Sequence, residues 1–133
     1  MQDRPTAAEV LVTIGEYLNE AVLPAVEGAL RYKTLVAANL IKVLERELAA
    51  GDGPPRRERD RLTALLGVTA GGEDLAGDVL GLNAELQRRL LAPTAPSREF
   101  LLAARDALEA AAVETLAVNK PGYDRYDQAS EVD

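Results

Sequence analysis

The chain has 133 residues, and its hydrophobic fraction of 47% and charged fraction of 28% are typical of a globular domain that can bury one core. It contains no cysteine and no histidine, which excludes disulfides, thiolate or imidazole metal ligands, cysteine nucleophiles and histidine general bases. The net charge of −7 opposes both the nucleic-acid backbone and an anionic membrane surface, so we expect neither as a partner.

The first predicted helix begins after Thr6. Thr6 and Glu9 have the spacing of a capping box, in which each side chain accepts a hydrogen bond from the other residue's amide. Apolar residues recur at helical spacing from Val10 to Val22 and predict one core-facing side. Pro24 cannot donate a helical hydrogen bond, so a break is predicted there.

The second predicted helix covers residues 29–50 and ends at Gly51. Its periodicity predicts a buried apolar side and an opposite polar side. The predicted buried side consists of Val36, Leu40, Ile41, Val43, Leu44 and Leu48. The predicted polar side consists of Arg31, Thr34, Lys42 and Glu45.

Three further helices are predicted. The third covers residues 55–66, and we interpret its arginines as a solvated face. These arginines are Arg56, Arg57, Arg59 and Arg61. The fourth begins either near Glu73, whose charge suits a helix N-terminus, or nearer Leu80, because glycines weaken a helix interior. The fifth follows Ser97 as its cap and covers residues 98–118.

These patterns predict an all-α fold, an antiparallel bundle of about five helices in a single domain over residues 1–123. Residues 124–133 are mostly acidic or polar and have little to bury, which predicts a disordered acidic tail. The first residues lack the basic region of a signal peptide, and no apolar run is long enough to span a bilayer. We therefore expect a cytoplasmic protein.

The sequence carries no motif for phosphate, cofactor or catalysis. Neither glycine-rich phosphate-loop spacing occurs. An all-carboxylate metal site is conceivable, but acidic residues at helix ends are usually explained by solvation and the helix dipole. The carboxylates in question are Glu45, Glu47, Glu73, Asp74 and Asp78. We predict no catalytic residue, no cofactor and no metal.

The second predicted helix carries a group of polar residues beside its apolar side. Tyr32, Asn39 and Arg46 follow one another at about two-turn intervals, and Glu47 falls between Val36 and Leu40 on the helical wheel. Asparagine is unfavourable in a helix interior, so Asn39 needs an explanation. One is a buried hydrogen bond that fixes helix register. The other is a polar cleft or partner face formed by Tyr32, Asn39, Arg46 and Glu47.

Several segments resemble a known family. They are residues 1–11, Leu23-Pro24, Val36-Ala37-Ala38-Asn39, Arg46-Glu47-Leu48 and residues 116–123. Together they look like a small bacterial family of unknown function, whose members tend to be encoded beside acyl-CoA dehydrogenases and beside kinases similar to aminoglycoside phosphotransferases. The resemblance implies no activity. It implies an accessory partner of those enzymes.

The leading hypothesis from the sequence is a non-enzymatic accessory or interaction module. Its expected partner is an acyl-CoA dehydrogenase or a phosphotransferase-like enzyme, and homodimerisation through the second helix is a related expectation. The alternative is a protein or enzyme that binds a small acyl or acyl-thioester molecule in an apolar groove edged by the same polar residues. A DNA-binding role ranks third, because the arginines would have to outweigh the negative net charge.

Overall fold

The computed structural model describes residues 4–122. These residues form five α-helices and no strand, so the predicted all-α fold with about five helices is confirmed. The chain divides into two compact units, the first ending at Gly51 and the second beginning at Asp52. The single domain predicted for residues 1–123 stays a prediction. The predicted tail, residues 124–133, lies outside the described residues.

The first unit is a helical hairpin. Helix α1 is Ala7–Glu16, and helix α2, Gly28–Ala50, packs against it. The predicted capping box is present: the Glu9 amide donates to Thr6 Oγ1 over 3.2 Å, and the Thr6 amide donates to Glu9 Oε2 over 2.8 Å. These two bonds satisfy amides that the first helical turn leaves without intrahelical partners.

The connection between α1 and α2 is helical but irregular. Tyr17–Val22 forms a π-helical turn, and Leu23–Ala25 forms a 3₁₀ turn. Pro24 has no amide hydrogen to donate to the Glu20 carbonyl, and its ring crowds that carbonyl, so the preceding turn widens. The break predicted at Pro24 is confirmed, although the regular helix already ends at Glu16.

The second unit contains three helices. They are α3, Gly53–Leu66, α4, Leu75–Leu90, and α5, Arg98–Asn119. Helix α3 packs against both of the others. The buried cluster of the unit consists of Leu62, Leu66, Leu82, Leu86 and Ala104, so the few apolar residues of α3 supply two of its members.

The helix ends in the second unit follow local sequence. Asp74 caps α4 by accepting from the Gly77 amide over 3.0 Å, and Ser97 caps α5 by accepting from the Phe100 amide over 3.2 Å. Helix α4 therefore begins at the earlier of its two predicted starts. Gly77 lies in the first turn of α4, where the Asp74 carboxylate occupies the space that a Cβ would need. The glycine therefore makes room for the capping side chain and does not delay the start of the helix.

Helices α3 and α5 run antiparallel. Near the start of α3, Arg57 bonds Glu114 in the last part of α5. Near the end of α3, Leu66 shares the buried cluster with Ala104 from the first part of α5. This orientation is the one expected for neighbours in a helical bundle.

Candidate functional site

Helix α2 packs against α1 through a side that the sequence did not predict. Thr34 and Ala38 are buried, and Ile41 and Glu45 lie nearest to Gly15 of α1. Two members of the predicted polar side, Thr34 and Glu45, are therefore part of the packed side. The predicted buried side is wrong for four of its six members, which are exposed, while Ile41 and Val43 are half-buried. The exposed members are Val36, Leu40, Leu44 and Leu48.

Small side chains explain which side of α2 packs. A Cβ on Gly15 would lie only 3.3 Å from Ile41 Cγ2 and 3.4 Å from Glu45 Oε1, so the two backbones approach closely at this point. Ala38 is only 1% exposed. Thr34 can be buried at little cost, because its hydroxyl donates to the Leu30 carbonyl over 2.9 Å. Close backbone approach gives contacts that bulky leucines would prevent.

The exposed side of α2 forms a continuous stripe. The α2 stripe consists of Lys33, Val36, Leu40, Leu44 and Glu47, all exposed. At about 100° per residue these positions fall within an arc of about 80°, away from the side that holds Ala38. Leu40, at the middle of the stripe, is 58% exposed. An apolar centre flanked by opposite charges thus faces solvent in the described chain.

Helix α1 and the turn after it also carry an exposed apolar row. The α1 edge consists of Val10, Ile14 and Tyr17 at helical spacing. Among residues 4–51 no large hydrophobic side chain is fully buried. The buried positions of this unit are Gly15, Thr34 and Ala38. The hairpin is therefore held by small residues and leaves much of its large apolar surface uncovered.

The four polar residues predicted as a cleft or partner face all lie on α2. Tyr32, Asn39 and Arg46 follow one edge of the α2 stripe, and Glu47 lies within the stripe. Asn39 is exposed, so a buried hydrogen bond that fixes helix register does not explain it. Arg46 is half-buried and interacts with another group. Their role as a cleft or partner face stays a prediction.

The arginines of α3 all lie in ion pairs, and their interpretation as a solvated face is wrong for Arg59 and Arg61, which are partly buried. Arg57 Nε and Arg61 Nη2 donate to Glu114 over 2.6 and 2.8 Å. The side chain of Arg59 is largely buried and lies 3.7 Å from Asp78. Arg56 remains exposed, beside Asp52.

Glu114 was missed by the sequence reasoning. It lies on the side of α5 that carries Phe100 and Ala104, where a carboxylate needs a cationic partner. The hydrogen bond from Arg61 lowers the pKa of the Glu114 carboxyl, partial burial opposes that change, and a second bond from Arg57 adds to it. The available signal was an acidic residue on the same helical side as Phe100 and Ala104, in a chain that also has an arginine-rich helix.

The carboxylates considered as metal ligands have structural partners or lie apart. Asp74 caps α4, while Asp78 accepts from the Gly72 amide over 3.1 Å and lies near Arg59. Within residues 4–122, no group of three acidic side chains is arranged to hold a metal ion. Over the same residues, no helix is both long and apolar enough to cross a membrane.

A shallow depression lies at the C-terminal end of α4. It is open to solvent and contains none of the four predicted polar residues. Its lining consists of Ala84, Gln87, Arg88, Leu91, Ala92 and Pro93. The mixed, open surface lacks the enclosure that a small-molecule site usually provides.

Comparison with known proteins places the chain in a family. Residues 24–123 match the family described as Domain of unknown function (DUF6285). That span includes all of α2 and the three helices of the second unit, while α1 precedes it. No curated protein and no solved structure matches the chain. Because the family match covers well over half of the 133 residues, the chain belongs to the DUF6285 family, a domain family of unknown function.

Proposed function

We propose that the chain is a non-enzymatic accessory module that binds an enzyme through the apolar surface of its helical hairpin. The observation that carries the proposal is the exposure of large hydrophobic side chains in the first unit, where only Gly15, Thr34 and Ala38 are buried among residues 4–51. Clustered apolar surface of this kind typically marks an interaction site. A hairpin without a core of large side chains also gains stability when a partner covers it.

The arrangement of polar residues on α2 supports binding over catalysis. Tyr32, Asn39 and Arg46 are spaced by seven residues, so their α-carbons are about 10 Å apart along the helix axis. Catalytic groups have to converge on one substrate atom within hydrogen-bond reach. Tyr32 and Arg46, at the two ends of this row, are about 21 Å apart along the helix axis. Such a row is more typical of an extended protein-binding surface than of a compact active site.

The proposed partner is an acyl-CoA dehydrogenase or a phosphotransferase-like kinase. The resemblance of segments at both ends of the chain supports this choice. We assign the enzyme to the α1 edge, because Val10, Ile14 and Tyr17 are exposed apolar neighbours on one side of the helix. The cytoplasm, where such enzymes work, is the proposed compartment.

Affinity purification from the native cell tests this proposal. The tagged chain should retain a dehydrogenase or a phosphotransferase-like kinase in near-stoichiometric amount. Ile14→Glu should release the enzyme, because a carboxylate would be desolvated at the centre of the contact. Val12→Glu is the matched control: Val12 is similarly exposed, at 45%, but lies on another side of α1, so this variant should retain the enzyme.

Two results would contradict the proposal. One is recovery of the wild-type chain with neither class of enzyme. The other is equal retention of the enzyme by the Ile14→Glu and Val12→Glu variants, which would exclude the α1 edge as the contact. Circular dichroism of both variants checks that they remain helical, so that release of the enzyme cannot be attributed to unfolding.

A further inference from the structure

We propose that the α2 stripe binds a second copy of this chain, with the two α2 helices antiparallel across a two-fold axis beside Leu40. This inference goes beyond the binding of an enzyme, which uses the α1 edge. It concerns a different set of side chains, Lys33, Val36, Leu40, Leu44 and Glu47. The two inferences can therefore succeed or fail separately.

The spacing of the α2 stripe is symmetric about its centre. Val36 and Leu44 lie four residues before and after Leu40, and Lys33 and Glu47 lie seven residues before and after it. A two-fold axis perpendicular to α2 at Leu40 places Leu40 against its own copy. The same axis places Val36 opposite Leu44 of the second copy. An isologous interface requires this kind of self-complementary surface.

The charges at the two ends of the α2 stripe favour the antiparallel orientation. Across the axis, Lys33 of each copy approaches Glu47 of the other, which gives two opposite-charge pairs per dimer. A parallel arrangement in the same register would instead place Lys33 beside Lys33 and Glu47 beside Glu47. Charge complementarity thus identifies a second copy as the occupant and selects its orientation.

Lys33 and Glu47 cannot form this pair within one chain. They are 14 positions apart on one continuous helix, or about 21 Å along its axis. Neither side chain takes part in an ion pair within the described part of the chain. Two complementary charges that form no ion pair with residues 4–122 of their own chain are therefore available to a second copy.

The exposed apolar area is sufficient for a small specific interface. The exposed parts of Val36, Leu40 and Leu44 amount to roughly 250 Å² in each copy, and Leu30 and Leu48, which flank the α2 stripe, add roughly 200 Å². Together with the polar side chains around them, two copies can bury about 1,000 Å², the size at which specific interfaces begin. An apolar centre with a charged rim is also the usual composition of such interfaces.

Sedimentation of the full chain with charge-exchange variants tests the proposal. The wild-type chain should sediment at twice the 14.2 kDa of one chain at micromolar concentration. Lys33→Glu and Glu47→Lys should each weaken the dimer by about tenfold or more, because each places like charges together in two positions. The double variant Lys33→Glu/Glu47→Lys should restore the dimer, since the opposite charges meet again.

Two controls separate pairing from other effects. The Lys33→Glu and Glu47→Lys variants change the net charge in opposite directions, so weakening of the dimer by both cannot come from net charge. Lys42→Glu makes the same charge change as Lys33→Glu on a different side of α2, and it should leave the dimer intact. Rescue by the double variant also shows that the single variants did not act by unfolding the helix.

A wild-type chain that remains monomeric at about 100 μM would overturn the inference. So would a dimer that is insensitive to both single variants, or one that the double variant fails to restore. None of these results concerns the enzyme, whose binding is measured by the purification experiment with the α1 edge variants. A monomer that still retains the enzyme would leave the proposed function standing without the dimer.

Discussion

Gly15 decides which side of α2 is covered by α1. Its missing side chain lets Ile41 and Glu45 come within 3.3 and 3.4 Å of the position that a Cβ would occupy, which is closer than most Cβ contacts in proteins. The hydrophobic pattern of the sequence cannot predict such a contact, because a glycine contributes little to that pattern. A single small residue therefore leaves the larger leucines of α2 on the outer side.

Substitution of Gly15 tests this role. Gly15→Leu should lower the free energy of unfolding by about 1–3 kcal/mol, because the added side chain forces the helices apart. Gly81→Ala is the contrasting substitution within α4. No atom lies within 4 Å of its added Cβ, so it should gain up to about 1 kcal/mol from helix propensity. Urea unfolding measures the free energy of unfolding of both variants. An unchanged stability of the Gly15→Leu variant would show that the close approach is absent.

Glu114 makes stability depend on pH. Its pKa is lowered in the folded chain, chiefly by the hydrogen bond from Arg61. The charged form therefore stabilises the fold above the unfolded-state pKa, about 4.3, and this contribution is lost as the pH falls through the lower folded-state pKa. Glu114→Gln should cost about 1–2 kcal/mol at pH 7, and the difference from wild type should shrink below about pH 4.

Glu85 provides the comparison for Glu114. Hydrogen bonds from Arg88 and then Arg89 lower the pKa of Glu85 to about 2. Both arginines lie on the same helix as Glu85, and its side chain is 30% exposed against 21% for Glu114, so salt screens the Glu85 pairs more. Glu85→Gln should thus cost less at 0.5 M salt than Glu114→Gln does. Equal losses for the two variants would contradict a special role for the α3–α5 ion pairs.

At the scale of the helices, the sequence predicts where each helix begins and ends better than it predicts which side of the helix packs. The capping box at Thr6, the stop at Gly51 and the cap at Ser97 are local signals, and all three lie where they were expected. The packed side of α2 depends on what α1 offers, and the helical wheel of α2 contains no such information. Its large apolar residues were therefore assigned to a core that small residues occupy.

Helix α3 depends on a few large side chains. Leu62 is buried in the cluster of the second unit, whereas Leu80 of α4 is 74% exposed. Leu62→Ala should lower the free energy of unfolding by about 2–4 kcal/mol, because it leaves a cavity in a small core. Leu80→Ala removes the same atoms from an exposed position and should change it by less than about 0.5 kcal/mol. Equal losses in urea unfolding would contradict the assignment of this core.

At the scale of the whole molecule, the sequence identified the helix that carries the candidate site but not the site itself. Tyr32, Asn39, Arg46 and Glu47 were selected as polar residues beside a buried stripe. The stripe is exposed, and the proposed pairing of Lys33 with Glu47 involves a second copy. Homodimerisation through this helix was expected from the sequence, but the positions that the proposed two-fold axis pairs were not identified.

Cysteine labelling of α2 tests the central claim most directly, namely that the α2 stripe is free in one chain and covered in an assembly. The chain has no cysteine of its own, so each introduced thiol reports on one position. In the Ala38→Cys variant the thiol should be protected at every protein concentration. In the Leu40→Cys variant it should react rapidly in dilute solution and become protected as the concentration rises. Equal protection of both thiols at all concentrations would place the stripe inside the folded chain and contradict the account.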